Sequence, residues 1–136
     1  MSHQLNFQLL HEYDVGRPGI PVPVTLQMGG AGVMADAYVD SGSVRCFFSR
    51  VVGERLGLSI EDGQPETFST AGGPVKGYGH FVTLESLGFR FDVMVFFAAN
   101  HGFKRNLLGR IGWLDRLQIG LVDYEGKLFL GEYQGE

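Results

Sequence analysis

Cysteine is almost missing from this chain of 136 residues: Cys46 stands alone, so no disulfide can form within it and packing must hold the fold. The apolar neighbours of Cys46 point to a core role for its thiol, and a lone cysteine fits a reducing compartment, so the cytoplasm is the expected location. Long apolar runs are missing too. No window approaches the length that crosses a bilayer, and Met1 to Leu10 has no basic segment followed by an apolar stretch, so neither membrane attachment nor a secretory leader is expected. Positive charge is scarce, with 11 Lys and Arg against 15 Asp and Glu, a formal net charge of -4 and no basic run; nucleic acid is therefore not an expected partner. His3, His11, His80 and His101 are scattered, with no carboxylates at ligand spacing, so no metal site and no cofactor is expected.

What the chain has in quantity is β periodicity and glycine. Val33, Ala35, Ala37 and Val39 alternate with Met34, Asp36, Tyr38 and Asp40, a period of two that predicts a strand ending at Asp40. Asp40-Ser41-Gly42-Ser43 then joins an ionisable carboxylate to two hydroxyls and a residue that lets the backbone turn sharply. The same residue types also make ordinary turns after strands. Upstream, Val22, Val24, Leu26 and Met28 share a face, while Pro21 and Pro23 suit an edge. Gly29-Gly30-Ala31-Gly32 turns that strand into the next; a phosphate-cradling loop would need a helix there instead.

Downstream, Phe47 to Leu56 reads as a helix with Phe48, Val51, Val52 and Leu56 on one stripe, an Arg50/Glu54 pair outside and Gly57 as the stop. Residues 66–84 read as a hairpin with its tip near Gly72-Gly73-Pro74. Phe89, Phe91, Val93, Val95 and Phe97 form a core face, residues 98–106 a polar loop, and Leu107-Leu108 an apolar step. Arg110 to Leu117 reads as a short helix, and 118–122 with 127–130 as a terminal hairpin.

In order and spacing, three of these segments resemble the single-lobe, retropepsin-like aspartic proteases. They are Asp40-Ser41-Gly42-Ser43 after an apolar strand, the glycine-bearing hairpin from Thr67 to Gly79, and Leu107-Leu108-Gly109-Arg110. The resemblance spans residues 20–131 and implies a mainly β fold: a closed β-barrel with a flap hairpin and one or two short helices. Residues 1–19 are then an N-terminal arm that could join dimer contacts, 20–131 the protease domain, and 132–136 a C-terminal tail.

The resemblance implies an aspartic endopeptidase cutting peptide or protein substrates between apolar residues. One Asp-Ser-Gly supplies one carboxylate, whereas this chemistry takes two that share a proton, so the resemblance also implies a homodimer about an axis beside Asp40. Asp40 is the expected catalytic residue, with Ser41, Gly42 and Ser43 supporting its loop; Ser43 is expected to bond the carboxylate, favour its charged form and move activity to lower pH. Ala71, Gly72, Gly73, Pro74 and Val75 are expected in the flap and against substrate, and Leu107, Leu108, Gly109 and Arg110 in the floor beneath it. Retroviral relatives pair the last arginine with an acid soon after the catalytic motif, where this chain has Val44 and Arg45; Arg45, if near the site, would bias the charge of the substrate. The alternative is a dimeric protease-like module that binds peptides without cutting them.

Overall fold

The computed structural model describes residues 1–135. Its strands are β1 (Leu9–Glu12), β2 (Pro21–Met28), β3 (Ala31–Val39), β4 (Phe47–Phe48), β5 (Gln64–Thr70), β6 (Gly73–Ser86), β7 (Phe89–Ala98), β8 (Leu107–Leu108), β9 (Leu117–Val122) and β10 (Lys127–Glu132), with one α-helix, α1 (Arg50–Arg55). Short 3-10 turns occupy Ile60–Asp62, Leu114–Arg116 and Asp123–Glu125. Among the described residues no helix is long and apolar enough to cross a membrane.

The larger sheet curls into a ring. Its order is β2-β3-β8-β4-β7-β6-β5, and β2 also pairs with β6 through Thr25, Leu26 and Gln27, which closes the barrel and leaves β5 as an outer flank of β6. Pro21 and Pro23 lie where β2 has β3 as its partner but not β6, so their missing N–H groups interrupt no ladder on the second side. Gly29 and Gly30 make the two-residue turn between β2 and β3, Gly29 with φ of 58°.

The inward residues of these strands form one core: Val22, Val24 and Leu26 from β2, Val33 and Ala37 from β3, Val82 and Leu84 from β6, Val93, Val95 and Phe97 from β7. The core also takes in Cys46, whose thiol burial pushes up to about 12, so it stays protonated and unreactive at neutral pH. Trp113 joins this core, wholly buried, with its indole N–H donating to the Ser86 hydroxyl at 3.0 Å. A second sheet, β1-β10-β9, packs Leu128 and Leu130 into the same core. Residues 9–12 of the N-terminal segment are thus paired with β10 of their own chain, Leu9 opposite Leu130.

Two segments depart from the sequence expectation. Phe47 and Phe48 are strand, not the first helical turn, because they pair in parallel with Phe96 and Phe97; the helix begins after them at Arg50, and Val51 is left exposed. Residues 110–117 form no α-helix, but a turn held by Gly112 N–H to Asp115 Oδ1 at 3.0 Å and a single 3-10 step at Leu114–Arg116.

Arg50 ties the helix to its surroundings: Nε reaches Glu54 Oε2 at 3.1 Å, Nη1 reaches Glu61 Oε2 at 2.5 Å, and Nη1 also donates to the Ala99 carbonyl at 2.9 Å. Its hydrogen bond holds the Glu61 carboxyl below the usual glutamate range. A carboxylate held low in the folded state adds stability above its unfolded range and loses it as pH falls through its folded value. The stability gap between the native protein and Glu61→Gln is therefore expected to shrink steadily as thermal melts are taken from neutral pH to below about pH 4, the ordinary glutamate range.

Just past β8, the chain runs so close beneath residues 43–45 that a Cβ on Gly109 would lie 2.1 Å from the Arg45 carbonyl oxygen and 2.7 Å from that of Ser43. Both obstacles are backbone, so neither can swing away. Gly109→Ala is expected to cost about 3 kcal/mol or more, at the upper end for overpacking, in denaturant titrations where Gly102→Ala, which points into open space, leaves the midpoint in place.

Candidate active site

Asp40 is the first residue after β3. Its N–H donates to the Leu108 carbonyl at 3.0 Å, its own carbonyl accepts from Ser43 N–H at 3.1 Å, and its carboxylate Oδ1 accepts from Gly42 N–H at 2.9 Å. The loop is thus a tight turn that orients the carboxylate from its own backbone. From the other side, Arg110 N–H donates to the Ser43 carbonyl at 2.9 Å and Ile111 N–H to the Val44 carbonyl at 2.8 Å, so the segment after β8 stitches the loop to the barrel.

Ser43 does not bond the carboxylate. Its hydroxyl donates to the Arg45 carbonyl at 2.7 Å, and its one proton is committed to closing the turn. The acid-shifting role expected for this hydroxyl is replaced by a structural one.

Asp40 opens onto a cleft of about 540 Å³ whose walls come from the Asp40 loop, the β5–β6 hairpin and the segment before β8. The hairpin tip is Ala71–Gly72, with Gly73 at φ of 111° and the Thr70 hydroxyl donating to the Gly73 carbonyl at 2.6 Å. Ala71, Gly72 and Val75 line the cleft; Gly73 and Pro74, at the start of β6, do not. Of the four floor residues, Leu107 lines the cleft. Leu108 is fully buried in the main core, Gly109 lies under the loop, and Arg110 is exposed, with no carboxylate partner among the described residues. Period-two geometry dictates the split between Leu107 and Leu108, since neighbouring strand residues point to opposite faces.

The sequence reading missed an aromatic cluster in this cleft. Phe47 meets Phe68 and Phe103 edge-on, each at 4.9 Å between ring centroids, and Phe68 meets Phe96 at 5.2 Å. Phe47, Phe68 and Phe103 line the cleft. They come from β4, β5 and the loop before β8, three places with no shared periodicity, and only the fold brings them together. Arg45, by contrast, is taken out of play: it pairs with Glu66 at 3.7 Å and its guanidinium lies 5.3 Å over the Phe96 ring. The charged residues of the cleft are Asp40 and Arg105.

Over 72% of its length the chain has a fold similar to that of the EIAV protease complexed with an inhibitor, with a TM-score of 0.56 at 17% identity over 86% of that chain. No curated protein matches the sequence. Residues 22–111, from β2 through the Asp40 loop and the hairpin to the segment under Gly109, match the model of the aspartyl protease family. On that match the chain belongs to the aspartyl protease family, and its fold is retropepsin-like.

Proposed function

We propose that this protein is an aspartic endopeptidase that acts as a homodimer, with an Asp40 from each copy at the twofold axis. One observation carries the reading: Asp40 is the single acid lining the cleft, in a family whose chemistry takes two. The outer side of its loop supports a covering partner, since Ser41 and Gly42 are exposed and Val44 and Ile111 stand 54% and 41% exposed beside them. These residues would meet their copies across the axis, Ser41 bonding the opposite loop.

The two carboxylates would hold one water and one proton between them, because like charges that close do not both ionise. The ionised member takes a proton from the water as its oxygen attacks the peptide carbonyl carbon, and the protonated member gives its proton to the carbonyl oxygen. The tetrahedral diol then breaks its C–N bond as the nitrogen takes the proton that the first carboxylate gained from water and a diol hydroxyl returns its proton to the other carboxylate, which restores the shared proton and releases an amine and a carboxyl end. No covalent enzyme intermediate forms. The Gly42 amide keeps Asp40 aimed, and Ser43 keeps the turn rigid.

An extended peptide would lie between Leu107 and the β5–β6 hairpin, gaining main-chain hydrogen bonds and placing alternate side chains in apolar pockets. Ala71 to Val75 would act as the flap, with Gly72 and Gly73 lowering the cost of opening and closure excluding water. Phe47, Phe68 and Phe103 would take an apolar or aromatic side chain beside the scissile bond.

Incubating a diverse peptide pool with the native protein and with Asp40→Asn between about pH 3 and 8, the span of carboxylate and histidine titration, tests this directly. Cuts between apolar residues are expected from the native protein and none from the variant; intact peptides at every pH from a folded dimer would make it a binding module. With a substrate in hand, activity is expected to fall faster than in proportion to dilution around the dimer dissociation constant, because subunits that separate lose half of each site. A rate strictly proportional to protein at all concentrations would remove the shared-site reading.

A further inference from the structure

Arg105 stands in the cleft with no internal claim on its charge. Among the described residues it makes no ion pair, whereas Arg45 is held by Glu66 and Arg50 by Glu54 and Glu61. Its backbone is nonetheless held by its neighbours. Two residues before it, Phe103 is wedged edge-on against Phe47. Immediately after it, Asn106 is pinned three ways: Oδ1 accepts from Ser49 N–H at 3.0 Å, Nδ2 donates to the Asp36 carbonyl at 3.1 Å, and its own carbonyl accepts from Tyr38 N–H at 2.8 Å. An otherwise polar loop therefore delivers one guanidinium to the mouth of an apolar pocket and holds its backbone there.

From this arrangement we infer that Arg105 is the specificity-determining residue for charge, and that the substrate is a peptide with an acidic side chain on the same face as its apolar anchor. The inference rests on the endopeptidase reading above. An anchor seated among Phe47, Phe68 and Phe103 puts neighbouring same-face side chains of an extended peptide within the part of the cleft that Arg105 lines. A carboxylate there meets a planar fork of donors that it matches geometrically. The charge balance runs the same way. A pair of Asp40 residues sharing one proton carries one negative charge, and two Arg105 residues carry two positive ones, so the paired cleft has a net positive charge to neutralise. A basic side chain at that place would meet repulsion from Arg105, and the Glu66 carboxylate is already engaged by Arg45.

The test uses peptides that share one apolar pair and differ at a single scanned position carrying Glu, Gln or Lys. Competitive cleavage is read by mass spectrometry with the native protein, Arg105→Gln and Arg105→Glu. Equilibrium binding to the same peptides is read by fluorescence anisotropy with Asp40→Asn alone and combined with each Arg105 substitution. At one position the Glu peptide is expected to be preferred over Gln by about tenfold, the scale of a hydrogen bond to a charged group, with Lys last. That order should flatten in Arg105→Gln, invert in Arg105→Glu, and weaken as salt is raised. Cleavage whose order of Glu, Gln and Lys is the same in the native protein and Arg105→Glu overturns the inference and leaves proteolysis standing. Acid-selective, Arg105-dependent binding without any cleavage upholds charge recognition by Arg105, now of a bound peptide and not a substrate, and overturns proteolysis. Failure to bind or cut any peptide overturns both.

Discussion

The close passage of Gly109 beneath the Asp40 loop is the constraint on which the rest of the structure turns. With no side chain in the gap, the backbone after β8 can donate from Arg110 and Ile111 to the Ser43 and Val44 carbonyls, while Leu108 accepts from Asp40. Those three bonds fix the loop in space, and they also complete the barrel, because β8 is the link between β3 and β4 in the ring. The same contact therefore seals the core and aims the carboxylate. Stability and site geometry are not separable here.

The barrel wall is one residue thick at this point, and its parity sorts side chains between two environments. Phe47, Phe96 and Leu107 face the aromatic cluster by the cleft; their immediate successors Phe48, Phe97 and Leu108 face the main core. The registers Phe47↔Phe96 and Phe47↔Leu107 hold the three short segments in phase. A slip of one residue would exchange core and cleft residues wholesale, so the main core enforces the composition of the cleft.

Most of the architecture was legible because it is written locally. Alternation marked β3 and β7, paired glycines marked the turns at Gly29 and Gly72, and the Asp-Ser-Gly-Ser turn stood where its strand ended. What escaped was set by distant partners. Phe47 and Phe48 are consecutive and apolar, a pattern that suits a helix as well as a strand, and pairing with β7 decided between them. Leu108 and Leu107 are the same residue type, and only the register told floor from core. Ser43 had more than one acceptor nearby in sequence, and the fold commits its hydroxyl to the Arg45 carbonyl. Phe103 and Arg105 sit in a loop with no period to read, anchored by an asparagine whose three bonds reach residues 49, 36 and 38.

The pairing of β1 with β10 also has a kinetic meaning. Leu9 meets Leu130, so β1 must wait for a partner that lies on the order of 120 residues further along the chain. Loop closure over such a distance is entropically slow and cannot seed the fold. The barrel, whose hairpins β2–β3, β5–β6 and β6–β7 are local, can assemble beforehand while the opening segment waits in solvent. Docking of β1 then becomes a late, sealing step, one that waits until β10 is in place.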